Sequence, residues 1–398
     1  MQKEPLLFLC HRIPFPPNKG DKIRSYNILK VLAKDYDIHL ACFVDDPFDW
    51  QYTAHLESLC ESSLFVKQNK LLSKVKGLKA FISNSAISLP YYFSRKMHKW
   101  VNAKVQQHNI ARVFVYSSVM AQYIDLEKTS GLTTIVDFVD VDSDKWRQYS
   151  ESKTGIAKWV YQREFDKLAA FETKIALQAK HSLFVSPQEA ELFKQQIPDS
   201  VGNSVHGILN GVDTQFFDPK NNNIEALNEQ IDVVFTGAMD YWANVDAVLW
   251  FSKEIWPMIR KIHPEASFFI VGGGPGSTVM ALNGNRGITV TGRVKDVRPY
   301  ILQSKVIVAP MQIARGIQNK VLEGMAMAKP VIATTMAIEG IEGRNEHVRI
   351  TNDPMVFSEY VASYMDKITN ANESRGWIMQ HLQWHATLAD LTSMFESQ

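Results

Sequence analysis

Short apolar runs and longer amphipathic stretches alternate along this chain, stop at a polar interval, and then alternate again. LLFLC (Leu6–Cys10), IHLACFV (Ile38–Val44), RVFVY (Arg112–Tyr116), TTIVD (Thr133–Asp137) and SLFVS (Ser182–Ser186) are predicted strands. Helices are predicted over Lys22–Lys34, Ser94–His108 and Ile156–Ala179. Strands this uniformly apolar are buried on both faces, and helical crossovers between them imply a parallel sheet covered by helices. After the polar stretch Asp213–Gln230 the pattern restarts with Ile231–Phe235, Ser267–Val271, Gly287–Thr291, Val306–Pro310 and Pro330–Thr334. The expectation is α/β, with two doubly wound Rossmann-like domains at residues 1–205 and 206–376. A last helix, Trp377–Glu396 within 377–398, is expected to cross back to the first domain. Ligands of such sheets bind at the carboxyl ends of the strands, so a shared ligand is expected in a cleft between the domains.

The 398 residues carry 43 Lys plus Arg against 42 Asp plus Glu, a formal charge of +1. That balance conceals a block from Ser62 to Ile124 with ten Lys/Arg and no acid, against 33 cationic and 42 acidic residues elsewhere. Within it, LLSKVKGLKAFI (Leu71–Ile82) has an apolar helical face flanked by Lys70, Lys74, Lys76 and Lys79. Tyr91, Tyr92, Phe93 and Trp100 lie beside Arg95, Lys96 and Lys99. Lysines around an apolar stripe, with aromatics, suit an anionic membrane surface at about residues 67–100. A core-facing helix with solvated lysines has the same composition. No recognition motif for nucleic acid accompanies the block.

Three cysteines without CxxC spacing point away from disulfides or structural zinc. The opening MQKEPLLFLCHRIP has too short an apolar run for a signal peptide, and GGGPG interrupts the longest uncharged stretch. A soluble protein of a reducing compartment is expected.

The chemistry concentrates in VAPMQIARGIQNKVLEGMAMAKPVIAT, Val308–Thr334, which reads as strand, loop, helix and strand. The helix amino end near Ile317–Asn319 offers free amides and partial positive charge to a diphosphate. Gly316 lies in the loop, and Arg315 and Lys320 flank the helix end as phosphate partners. Glu323 is two turns from Arg315, placed to accept hydrogen bonds from ribose hydroxyls. A plain sheet-packing helix with surface Arg and Lys is the other reading of these residues.

This segment resembles the donor-binding core of retaining GT-B glycosyltransferases, which carry Glu-x7-Glu before an Ala- and Met-rich helix. Glu323 matches the second Glu, while Arg315 stands where the first belongs, so the implied sugar contact departs from the family pattern. The blocks PFPPNKGDKIRSYN, VDFVDVDSDKW, NGVDTQFF, FTGAMDYWANVDAVLWF, VTGRVKDVRPY and ARGIQNKVLEGMAMAKPVIAT are similar to glycosyltransferases of PEP-CTERM/exosortase systems. The resemblance implies a GT-B fold and a metal-independent, retaining, hexosyltransferase-type enzyme without a cofactor. It implies a nucleotide-sugar donor and a polyprenyl-linked saccharide acceptor in exopolysaccharide biosynthesis. The place it implies is cytoplasmic, peripheral on the inner face of the plasma membrane.

Gly237 opens the second domain's first turn, but Ala238 follows it and no Arg or Lys appears before Lys253. Charge balance therefore assigns the leaving diphosphate to Arg293, Arg315 and Lys320. Gly272 begins GGGPG, which lacks a Walker Lys and reads as a tight strand-to-helix turn beside the donor. In the first domain Lys19, Gly20 and Arg24 form a candidate acceptor or phosphate loop, with Asp21 as a helix cap. Asp137 and Asp140, after a strand, are the candidates to orient or deprotonate the acceptor hydroxyl. They also fit a solvated acidic turn or a DxD-like metal cluster. A nucleotide-sugar epimerase of the same fold and a non-catalytic nucleotide-sugar sensor or scaffold are the alternative functions.

Overall fold

The computed structural model describes residues 3–124, 131–313, 317–338, 340–343, 345–366 and 368–396. The chain divides into two units, Met1–Ile208 with Leu388–Gln398, and Leu209–Thr387.

The first unit holds a seven-stranded parallel sheet in the order β3-β2-β1-β4-β5-β6-β7. Its strands are β1 (Glu4–Cys10), β2 (Tyr36–Val44), β3 (Ser62–Lys67), β4 (Arg112–Tyr116), β5 (Thr133–Val139), β6 (His181–Phe184) and β7 (Val205–Gly207). Leu6, Leu7, Phe8 and Leu9 of β1 are fully buried, as a central strand between helical layers requires. The crossovers include α1 (Gly20–Asp35), α2 (Lys70–Gly77), α3 (Arg95–Gln107), α4 (Asp142–Glu151) and α5 (Gly155–Gln178). Their inner faces close over a core that includes Leu7, Val113, Val136 and Phe184.

The second unit repeats the design with six parallel strands in the order β10-β9-β8-β11-β12-β13. These are β8 (Val233–Thr236), β9 (Phe268–Val271), β10 (Ile288–Gly292), β11 (Val306–Ala309), β12 (Val331–Ala333) and β13 (Val348–Ile350). Its helices include α6 (Trp242–Trp250), α7 (Asn319–Ala326) and α8 (Asn372–His381). Gly324 lets α7 lie close on the sheet, since a Cβ there would stand 2.5 Å from Ile307 Cδ1.

The single helix expected over Trp377–Glu396 is instead broken into 372–381, 384–387 and 393–396. The Val212 amide donates to Leu382 O, 2.7 Å, at the first break. Residues Leu388–Gln398 cluster with the first unit, where Phe395 packs on Tyr36 with ring centroids 5.7 Å apart.

In each sheet the strand order reverses beside its first strand, between β1 and β4 and between β8 and β11. Those switch points, at the carboxyl ends of the strands, are where open α/β sheets bind ligands.

Candidate functional site

At the switch point of the second sheet, three turns are laced together. Gly237 N–H donates to Val271 O (3.0 Å), Met239 N–H to Gly273 O (2.8 Å) and Gly272 N–H to Gly292 O (3.2 Å). Gly272 has φ +157°, and a Cβ there would fall 1.7 Å from Gly237 O. Only two bare backbones can approach so closely. Arg293 is brought to the same place: its Cβ and Nε would each lie 3.4 Å from a Cβ on Gly273.

Helix α7 begins beyond β11 without a side-chain cap on its first amides. Lys320, expected as a phosphate partner at this helix end, is not on the surface. Only 7% exposed, its ammonium donates to Asn244 Oδ1 (3.1 Å) and Gln318 Oε1 (3.2 Å), with Met311 Sδ at 3.7 Å. It also lies 5.0 Å from the centre of the Phe235 ring. Burial lowers its pKa to about 8, partly offset by the charge of Glu323. One turn on, burial raises Glu323 to about 7, and Lys320 again opposes the shift. A buried ammonium whose hydrogen-bond acceptors are neutral is costly on its own and favours an anion beside it. Asn244, which sequence reasoning passed over because it is uncharged, links Lys320 to the glycine turn. Its Nδ2 donates to Ala238 O at 3.0 Å, and a Cβ on Gly237 would meet it at 2.7 Å. Arg315 and Gly316 lie outside the described residues.

At the switch point of the first sheet, the expected roles of Asp137 and Arg24 are overturned. Asp137 is fully buried and Arg24 is 1% exposed. Arg24 Nε donates to Asp137 Oδ2 at 2.7 Å, while its other nitrogens reach Ile208 O and Phe184 O. The carboxylate expected at an acceptor and the guanidinium expected at a phosphate neutralise each other inside the unit. Burial raises the pKa of Asp137, opposed by the charge and hydrogen bond of Arg24. Asp140 shares Lys145 with Asp142, at 2.8 and 3.0 Å, and Asp144 pairs with Arg147. The acidic run is thus divided among basic partners.

Asp21 does not cap α1; the N-cap position is Lys19, without a side-chain cap. The Asp21 carboxylate accepts from Arg12 instead, and His11 Nε2 is 3.5 Å away. Burial alone would raise Asp21, but the His11 hydrogen bond and the Arg12 charge hold it well below the usual carboxylate range. The His11 ring stacks on Tyr116, with centroids 5.8 Å apart and planes within 8°. His11 Nδ1, Tyr116 Oη and Ser118 Oγ are buried without hydrogen-bond partners among the described residues. Buried polar atoms are rarely left so, and three at one switch point suit a polar ligand. The backbone is strained at the same edge: Ser117 and Val139, after β4 and late in β5, have φ of +74° and +72°. A β-branched residue there is an outlier of the kind that collects at functional sites. Gly20 is exposed at the start of α1, with Lys19 half-buried before it. His11 had no motif to announce it, and only the fold joins it to Tyr116.

The basic segment is not a core-facing helix. Helix α2 buries Ser73 and Gly77, and Ala80 follows on the same face, while Leu71, Leu72, Val75 and Leu78 are exposed. Lys70, Lys74, Lys76 and Lys79 are all exposed beside them, with Lys70 3.5 Å from Asp45 and Lys76 donating to Phe93 O. Tyr92 and Trp100 instead pack against the core, away from the interfacial role their composition suggested. No helix among the described residues is long and apolar enough to cross a membrane.

Two Rossmann-like parallel sheets, each with its switch point furnished with polar groups, define the GT-B fold of glycosyltransferases. Residues 230–367, within the second unit, match the family model described as "Glycosyl transferases group 1". The whole fold resembles sucrose-phosphate synthase from Thermosynechococcus elongatus (TM-score 0.68, 14% identity, covering 99% of this chain and 98% of that one). It also resembles Anabaena Alr3699/HepE in complex with UDP (TM-score 0.67, 13% identity, 99% and 100%). A point mutant of S. aureus TarM, in complex with Fondaparinux, alpha-GlcNAc-glycerol and UDP, is similar at TM-score 0.65 and 10% identity, over 99% and 100%. Among curated proteins, an uncharacterized 44.6 kDa protein in the cps region of Klebsiella pneumoniae is 19% identical over 379 residues, 90% of each chain.

Proposed function

We propose that this protein transfers a sugar, with retention and without a metal, from a nucleotide-sugar donor to a lipid-linked saccharide in exopolysaccharide assembly. The observation that carries this reading is Lys320, buried among neutral acceptors at the β8/β11 switch point, within the segment that matches the group 1 glycosyl transferase model. In the transfer, the bond from the sugar C1 to the diphosphate oxygen breaks and a bond from C1 to the acceptor oxygen forms. The nucleoside diphosphate departs with the bonding electrons, and one of its phosphate oxygens takes the proton that the acceptor hydroxyl loses. Lys320 and the amino end of α7 offset the charge that grows on the diphosphate, and Asn244 holds the ammonium in register. Glu323, raised to about 7, accepts from ribose hydroxyls. Near the β1/β4 switch point, His11 with Asp21 behind it takes the acceptor role once assigned to Asp137. The reading is supported by neighbours described as UDP and UDP-glucose complexes and by a relative placed in a cps region. The association with PEP-CTERM/exosortase systems rests on sequence resemblance.

A thermal-shift panel of nucleotide sugars tests donor binding, because a ligand that binds the folded state raises its melting temperature. Radiolabel from the stabilising donor should then pass into the lipid fraction of a membrane extract. No donor stabilising the protein, or no label transferred, would remove the reading.

A further inference from the structure

We propose that the outward face of α2 and the turn after it, together with the amino end of α5, form one surface that inserts into an anionic lipid bilayer. The inference gives physical form to the membrane-side acceptor of the proposed function and rests on that reading only for its purpose. The surface itself stands on separate observations.

The first is an inversion of ordinary helix packing. Ser73, Gly77 and Ala80 recur at near-helical spacing and face inward, and a Cβ on Gly77 would come within 2.9 Å of Ile87 Cγ2. Only small residues fit that contact, so the bulky side chains are forced to the opposite face. There Leu71 is 75% exposed, and Ile82 on the following turn is 90% exposed. Contiguous exposed apolar residues of this size mark an interaction site.

The second is that the patch continues onto an element far away in sequence. At the amino end of α5, Ile156 is 83% and Trp159 59% exposed. Trp159 stacks on Phe81, with centroids 6.2 Å apart and planes within 21°. Beneath them the two elements are locked together. Arg163 donates to Ala80 O and Ser85 O (2.8 and 3.2 Å) and lies over the Phe81 ring. Buried Glu164 accepts from the amides of Ile87 and Ser88 at 2.6 and 3.2 Å. The apolar side chains are therefore presented by a braced platform.

Charge selects the occupant. Ser62–Ile124 carries ten cations and no acid, and the exposed Lys153 and Lys158 add two more at the amino end of α5. A second copy docked by the same patch would set this cationic rim against itself, since a twofold interface repeats one surface. A bilayer with anionic headgroups accepts lysines around a wedge of Leu, Ile and Trp.

Co-sedimentation of the full chain with phosphatidylcholine vesicles, with and without one quarter phosphatidylglycerol, tests the proposal. Wild type should bind the anionic vesicles and leave the neutral ones. Ile82→Ser and Trp159→Ser should each weaken binding about tenfold, and Lys74→Gln or Lys79→Gln about fivefold at low salt. Ile262→Ser, an exposed apolar site in the second unit, should change nothing. All of these are surface positions, so melting temperature should match wild type. Equal binding to both vesicles overturns the proposal, as does wild-type binding by Trp159→Ser. So does a lipid-free dimer that Ile82→Ser dissolves, which would assign the face to a second copy. Donor-induced thermal shift is read in parallel: its absence with vesicle binding intact would sink the transferase reading and leave this surface standing.

Discussion

Replacing Asp137 by Asn separates a catalytic carboxylate from a buried counter-ion. In the fold, Arg24 is 1% exposed and Asp137 fully buried, with Nε–Oδ2 at 2.7 Å. Asn keeps the shape and one acceptor but removes the charge, leaving a guanidinium uncompensated away from water. Breaking such a pair costs about 3–5 kcal/mol. Arg24 retains Ile208 O at 2.8 Å and Phe184 O at 3.4 Å, which points to the lower end, near 3 kcal/mol. For a unit of this size each kcal/mol moves the midpoint by about 2–4 °C, so the first unit should melt roughly 6–12 °C lower. Differential scanning calorimetry reads this, because the second unit serves as an internal standard. The double variant Arg24→Met/Asp137→Leu should recover much of the loss, since an apolar pair replaces a buried ion pair at little cost. If Asp137→Asn melts like wild type and loses only turnover, the carboxylate is acting on the acceptor and the counter-ion account is wrong.

Lys320→Met should abolish donor-induced thermal shift while leaving the second unit as stable as before, or about 1 kcal/mol more stable; a retained donor shift counts against Lys320 as the diphosphate partner. In wild type, donor affinity by calorimetric titration should fall as pH rises through about 8, where Lys320 loses its proton, and Lys320→Met should show no such step. Its lowered pKa also means that the cost of burying the charged form is full below about 8 and disappears towards the ordinary 10.5. Glu323 acts oppositely, destabilising progressively from 4.5 to about 7 as it ionises. These two contributions therefore leave the second unit least stable between pH 7 and 8 in urea melts. His11→Gln should lower turnover about 10²-fold with donor binding unchanged; equal turnover would remove His11 from the acceptor site. Gly272→Ala forces a Cβ to within 1.7 Å of Gly237 O, and should cost more than about 3 kcal/mol in the second unit's melt.

Much of the architecture was written in local pattern. RVFVY matches β4 residue for residue, and the central strands of both sheets follow their apolar runs. A strand buried on both faces must be apolar throughout, whatever its neighbours are. The edge strands β3, β7 and β13 escaped notice because they are short or half-exposed and need no such run. The glycine turns at Gly237 and Gly272 were also legible, though not the reason that they abut each other. Tertiary structure alone decided where the charges and the greasy faces went. Arg24 and Asp137 are 113 residues apart in sequence, and both looked like site residues until the fold set them against each other. Lys320 read as a phosphate partner beside a helix end, but nothing local told that Asn244 and Gln318 would enclose it. The stripe Leu71–Ile82 suited a membrane surface and a core helix alike, and the small residues Ser73, Gly77 and Ala80 took the inner face. Periodicity records that one face differs from the other. Which face is buried, and which ion meets which, depends on what the rest of the chain brings opposite.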